Sequence, residues 1–131
     1  MDKGDLERMK RMKSYCEDVA KAIDRFGNSF ETFSQDNDFY NSVSMGIMQI
    51  GELANGLSDE FKDATRQQVQ WGFIRGMRNR FAHAYLIMGK EDIWETAVKD
   101  IPALLNFCES IIKKTAPETQ KVIKPKDRDA R

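Results

Sequence analysis

The chain is short of the residues that usually announce a site. Its 131 residues hold one histidine, two cysteines and three prolines, and 21 Lys+Arg balance 21 Asp+Glu. Cys16 and Cys108 lie far apart in the chain and each falls in an apolar helical stripe. Such a pair reads as packing thiols rather than a disulfide, and with a single histidine it makes a poor zinc set. Zero net charge removes the global attraction on which avid nucleic-acid binding rests. Any RNA contact must therefore be local, through a patch such as Arg66, Arg75, Arg78 and Arg80. No run approaches the ~18 apolar residues a membrane span requires, and the acidic start of the chain is unlike a signal peptide. A cytoplasmic protein with no membrane partner is expected.

What is present is helical periodicity. With 40% hydrophobic residues at this length, one domain can bury a core without metal or disulfide. Leu6, Met9, Met12, Cys16, Val19, Ile23 and Phe26 recur every three or four positions. That spacing predicts a first helix over about residues 3–26, with Asp2 as its N-cap and Gly27-Asn28 as a left-handed stop. The stretch from Asn28 to Asp38 reads as a polar connector with Phe30 and Phe33 turned to the core. A second helix is expected over about 37–57, and its Gly46 and Gly51, each costing about 1 kcal/mol against alanine, imply a close helix neighbour. Ser58-Asp59-Glu60 reads as a short helical turn, and Trp71 opens a third long helix. A further helix begins at Ile93-Trp94, and Pro102 predicts a kink or break with Asp100 as the next N-cap. The fold class is all-α, an up-down bundle of four to five helices. It spans residues 1–115, with a poorly ordered tail over 116–131.

The sharpest grouping lies in residues 71–88. Wound at about 100° per residue, Ile74, Met77, Phe81, Ala84 and Met88 form an apolar stripe. Arg75, Arg78, Asn79, Ala82, His83 and Tyr85 fill the neighbouring arc. Periodicity alone leaves this arc open between a functional site and a solvated structural face. Glu52, next to Gly51 in the second helix, is equally open. It is either an exposed or capping acid, or a carboxylate that holds the Arg78 guanidinium.

The string Arg78-Asn79, three residues, then His83-Ala84-Tyr85 resembles the Arg-(four residues)-His-x-Tyr signature of the HepT-like toxins, a branch of the HEPN superfamily. Similar pieces in the same order are Ile50-Gly51-Glu52-Leu53, Trp71, Gly76-Met77, Trp94-Glu95 and Asp100-Ile101-Pro102, so the likeness spans about residues 6–115. Two departures stand out: no proline precedes Trp71, and Ala84 replaces an acid common in relatives. The resemblance implies a HEPN-like bundle that forms a homodimer and acts as a metal-independent endoribonuclease on RNA, without a cofactor. It further implies a partner, a minimal nucleotidyltransferase antitoxin that adenylylates the motif tyrosine. Carried onto this chain, Arg78 and His83 are the catalytic pair, Asn79 supports them and Tyr85 is the modification site. From the residues themselves, Glu52 is a candidate supporting acid for Arg78, and Arg75 and Arg80 are candidates to contact RNA. The alternative is a non-catalytic HEPN-type module that docks to the nucleotidyltransferase and is modified by it.

The residue types suit the chemistry. Cleavage of RNA without a metal needs a proton shuttle near the 2′-hydroxyl and a cation on the phosphate under attack. Imidazole titrates near neutrality and guanidinium is a permanent planar cation. One histidine per chain cannot be base and acid together, so a dimer that supplies two is mechanistically attractive.

Overall fold

The structure, a computed structural model, describes the backbone of residues 1–82 and 89–127 and the side chains of residues 1–77 and 89–115. The described residues contain helices and connectors only. In order they are α1 (Lys3–Phe26), α2 (Phe30–Gln35), α3 (Asn37–Gly56), α4 (Asp59–Ala64), α5 (Trp71–Ala82), α6 (Lys90–Glu95), a π turn (Thr96–Asp100) and α7 (Ile101–Asp127). Helix α3 packs against both α1 and α5, and α7 packs against α1. The four long helices make the bundle, and the short α2, α4 and α6 are joined to it. No helix among the described residues is long and apolar enough to cross a membrane.

Helix α1 forms as its spacing predicts, and its start is doubly tied. The Asp2 carboxylate accepts from the Asp5 amide at 2.7 Å, while the Asp5 carboxylate accepts from the Asp2 amide at 3.3 Å, a reciprocal capping box. Asp5 reaches further. Fully buried, it accepts from the Ser58 amide at 2.8 Å and the Ser58 hydroxyl at 2.6 Å, joining the start of α1 to the α3–α4 junction. Burial pushes this carboxyl up, but the Ser58 hydroxyl and amide and the Asp2 amide outweigh it, so its pKa lies below the ordinary value. At the other end Gly27 stops α1 with a φ of 106°, a region that favours glycine.

Close approach of α1 to α3 is real at Gly46. A Cβ placed there would lie 2.8 Å from Cγ2 of Val19, itself fully buried. Met9, Met12, Cys16 and Val19 of α1 and Val43, Ile47 and Ile50 of α3 are likewise sealed from solvent. Cys16 on α1 and Cys108 on α7, far apart in sequence, both belong to this one core as buried free thiols.

Two expectations from the sequence need correction. Residues 30–35 form a helix rather than a connector. Ser29 caps it by accepting from the Thr32 amide at 3.2 Å, and Phe33 is fully buried against Phe39, Tyr40 and Trp94. The second concerns Pro102, which neither breaks the chain of helices nor makes Asp100 an N-cap. Asp100 lies inside the π turn, and the Ile101 amide donates to the carbonyl of Thr96, five residues back. Proline lacks the donor and crowds the carbonyl four residues before it. A wider turn just ahead shifts those carbonyls, and the helical path continues.

Candidate functional site

Helix α5 carries the arginines of the motif, and its first residue fixes it to the bundle. Trp71 is buried and its indole Nε1 donates to Oγ1 of Thr65 at 2.8 Å, while that hydroxyl donates to the Phe61 carbonyl at 2.8 Å. The ring lies 6.1 Å from Phe61 and meets Phe107 of α7 edge-on at 5.9 Å. An aromatic of this size with its one donor satisfied is a strong anchor. It sets both the position and the rotation of α5 from its first turn.

From that anchor the helix sorts its residues by face. Ile74 and Met77 are buried, as the apolar stripe requires, and Arg75 is exposed. Positions three and four apart share one side of a helix, so Arg78 and Asn79 follow Arg75. On the wheel Arg78 also falls beside Ile74 and two turns after Trp71, which puts its backbone position at the border between core and outer face. The backbone of Arg78, Asn79 and Arg80 belongs to α5, while their side chains, and all of His83 and Tyr85, lie outside the described residues. Glu52 is exposed on α3, the helix packed against α5, so the structure makes neighbours of the two elements that bear Glu52 and Arg78.

Arg66, grouped with the motif arginines by sequence, sits in different company. Its guanidinium is 3.7 Å from Asp63, and both side chains are largely solvated. They border an open groove of about 610 Å³ next to Trp71, whose rim also carries Asp59, Glu60 and Lys62. Three carboxylates offset the two cations there, so this groove is not built for phosphate.

Downstream, α6 is tied to α2. Gly89 caps α6 with no side-chain bond, and Lys90 supplies the tie. Its ammonium donates to the Ser34 carbonyl at the end of α2, at 2.6 Å, and lies 5.0 Å from the centre of the Tyr40 ring. Four residues on, Trp94 packs 5.1 Å from Phe33 and edge-on to Phe39 at 5.8 Å. In chain order, two aromatic anchors thus flank the motif, Trp71 before it and the Lys90–Trp94 contacts after it. A lysine between a glycine and two acids offers no local sequence signal of such a contact. Asp5 did leave one, since acids at the N-cap and three residues later suggest a capping box.

Residues 7–111 match the family described as Ribonuclease HepT-like. A protein of Caldanaerobacter subterraneus subsp. tengcongensis, named as a candidate RNase, is 32% identical over 81% of this chain and 98% of its own length. One from Thermococcus cleftensis, named as a candidate ribonuclease HepT, is 31% identical over 80% of this chain and 100% of its own. A third, from Methanocaldococcus jannaschii and also named as a candidate RNase, is 25% identical over 90% of this chain and 89% of its own. No solved structure matches the chain significantly.

Proposed function

This chain belongs to the HepT-like ribonuclease family, and from that premise we propose that it is the toxin of a two-gene toxin–antitoxin system, a metal-independent endoribonuclease acting in the cytoplasm. The observation that carries the reading is the intact string Arg78-Asn79…His83-Ala84-Tyr85, whose first part lies on α5 in a chain that matches the family over residues 7–111.

In this reading Arg78 holds the scissile phosphate and stabilises the charge that grows on it, and His83 moves the proton at the 2′-hydroxyl or the leaving oxygen. Asn79 and Glu52 orient the pair, and Arg75 and Arg80 bind flanking phosphates. A homodimer brings two copies of His83 to one RNA, one as base and one as acid. The antitoxin, a minimal nucleotidyltransferase, transfers an adenylyl group to the Tyr85 hydroxyl, which adds bulk and negative charge close to Arg78 in sequence and blocks phosphate binding.

Zero net charge favours a second reading, in which the motif face only docks the nucleotidyltransferase and is modified by it. Two measurements test the pair. Purified wild type should cleave RNA in the presence of a chelator and His83→Ala should not; no cleavage by either protein would leave the docking module. Incubated with the nucleotidyltransferase and ATP, wild type should gain adenylyl mass and Tyr85→Phe should not. Equal transfer to the Phe variant would place the acceptor elsewhere.

A further inference from the structure

Arg8 has no part in the chemistry above, yet the fold makes a place for it. It is partly buried at the outer edge of the junction where Asp5 binds Ser58, and a glycine flanks it on each of two helices. A Cβ added at Gly4 of α1 would lie 2.8 Å from its Nη1, and one added at Gly56, the last residue of α3, 2.7 Å from its Nε. The guanidinium therefore lies where only glycines leave it room. Among the described residues it has no hydrogen bond, ion pair or ring contact. The Asp2 and Asp5 carboxylates at the same helix start are occupied by each other's amides and by Ser58. Carbonyls at the end of α3 favour a cation nearby, but none of them accepts from Arg8. Its position bears on the motif. Gly56 follows Glu52 by one turn on the same side of α3, a rise of about 6 Å, and α3 packs against both α1 and α5. Arg11, exposed, shares the Arg8 side of α1, whereas exposed Lys10 lies about 200° around the helix from Arg8.

We propose that Arg8 is an RNA-binding residue, which holds a phosphodiester flanking the scissile one and carries the substrate strand from the motif across α3 onto α1. The assignment rests on the ribonuclease reading above. A chain of zero net charge must bind phosphate through local contacts, and Arg8 is a permanent cation that no described acid neutralises. Its planar fork matches two oxygens of one phosphate, a fit that a lysine ammonium does not reproduce. Confinement between two glycines restricts the side chain before RNA arrives, so less freedom is lost on binding. Arg11 then contacts the next phosphate along the strand. Glu52, which orients Arg78 in this reading, is already engaged and does not oppose the strand with an uncompensated charge. The contact is made alike in the ground state and the transition state, so it acts on KM and not on kcat.

The test measures binding of a short fluorescent single-stranded oligouridylate to the full-length His83→Ala protein over a range of salt, alongside steady-state cleavage by protein with His83 intact. Adding Arg8→Gln should weaken binding about 5–10-fold and make the slope of log K against log salt shallower by about 0.7, the signature of one lost phosphate contact on a single strand. In cleavage, Arg8→Gln should raise KM by a similar factor and leave kcat within about twofold. Lys10→Gln, which removes the same charge from the other side of α1, should leave binding and slope close to the parent values. If Arg8→Gln fails to fold, Gly56→Ala carries the test: its methyl displaces the guanidinium without removing it, and KM should rise. A parent that binds and cleaves RNA while Arg8→Gln matches it in affinity, slope and KM overturns the assignment, as does an unchanged KM in Gly56→Ala. Equal losses from Lys10→Gln would show diffuse attraction and overturn it too. A lower Tm with KM unchanged would confine Arg8 to bracing the end of α3. A parent that neither binds nor cleaves RNA would instead sink the ribonuclease reading, and this assignment with it.

Discussion

The α1–α3 interface and helix α5 are built from the same periodic pattern and put their polar groups to opposite uses. Where α1 meets α3 and the α4 junction, the polar side chains turn inward and are consumed by the fold. Asp5 is fully buried and its carboxylate is taken up by Ser58 and Asp2. On α5 the inward positions are apolar, Trp71, Ile74 and Met77, and Arg75 faces out. Burial of a satisfied carboxylate gives rigidity but leaves nothing to offer a ligand. An arginine at an outer position keeps its charge available, and the apolar stripe beneath holds the helix without its help. Stability and activity should therefore respond to different substitutions in the two regions.

The largest effect expected is on activity with stability unchanged. Arg78→Ala should lower RNA cleavage by about 10²–10⁴-fold, the range typical for loss of a group that acts on the transition state, while Tm stays close to wild type. A variant that cleaves normally would remove Arg78 from the site, and one that unfolds would make α5 like α1. Next comes Trp71→Ala, which strikes the junction of the two roles. Loss of the buried indole should cost roughly 3–5 kcal/mol in denaturant unfolding, and cleavage should fall in any folded fraction because the anchor of the motif helix is gone.

Asp5→Asn should cost about 1–3 kcal/mol and leave cleavage per folded molecule unchanged. It also has a pH signature. The folded pKa of Asp5 is depressed, so its contribution is fully present above the ordinary aspartate value of about 3.9. It is lost as pH falls through the lower, folded value. Unfolding free energy of wild type should drop over that acid range, and the Asn variant should drop less; parallel curves would show that Asp5 is not the titrating group.

The smallest effect sharpens the contrast within one helix type. Gly46→Ala improves helix propensity by about 1 kcal/mol but drives a methyl into buried Val19, and overpacking of this kind costs about 1–3 kcal/mol. Its net effect should be a modest loss of Tm. Gly72→Ala on α5, where nothing lies within 4 Å, should gain stability instead.

Much of this was legible because it is local. The apolar spacing from Leu6 to Phe26 defines α1, Asp2 and Gly27 mark its ends, and the Arg78-to-Tyr85 string announces the family before any fold is known. These features depend on neighbours within one or two turns, the range over which sequence pattern acts. Helix α2 escaped because its six residues are too short to show a period, and its apolar side meets Phe39 and Trp94, which come later in the chain. The π turn escaped for a related reason. Proline forbids one hydrogen bond, but whether the chain breaks or widens its turn depends on what packs around it, here with Thr96 and Ala97 buried.

By itself, then, the sequence determined the long helices, the apolar faces of α1 and α3 and the identity of the residues proposed for catalysis. All of these follow from periodicity, capping chemistry and a contiguous motif. Only the tertiary structure decided that Asp5 would be spent on Ser58 and that Lys90 would clasp Ser34 and Tyr40. Each of those contacts joins groups dozens of residues apart, and their encounter depends on how helices pack and rotate against one another.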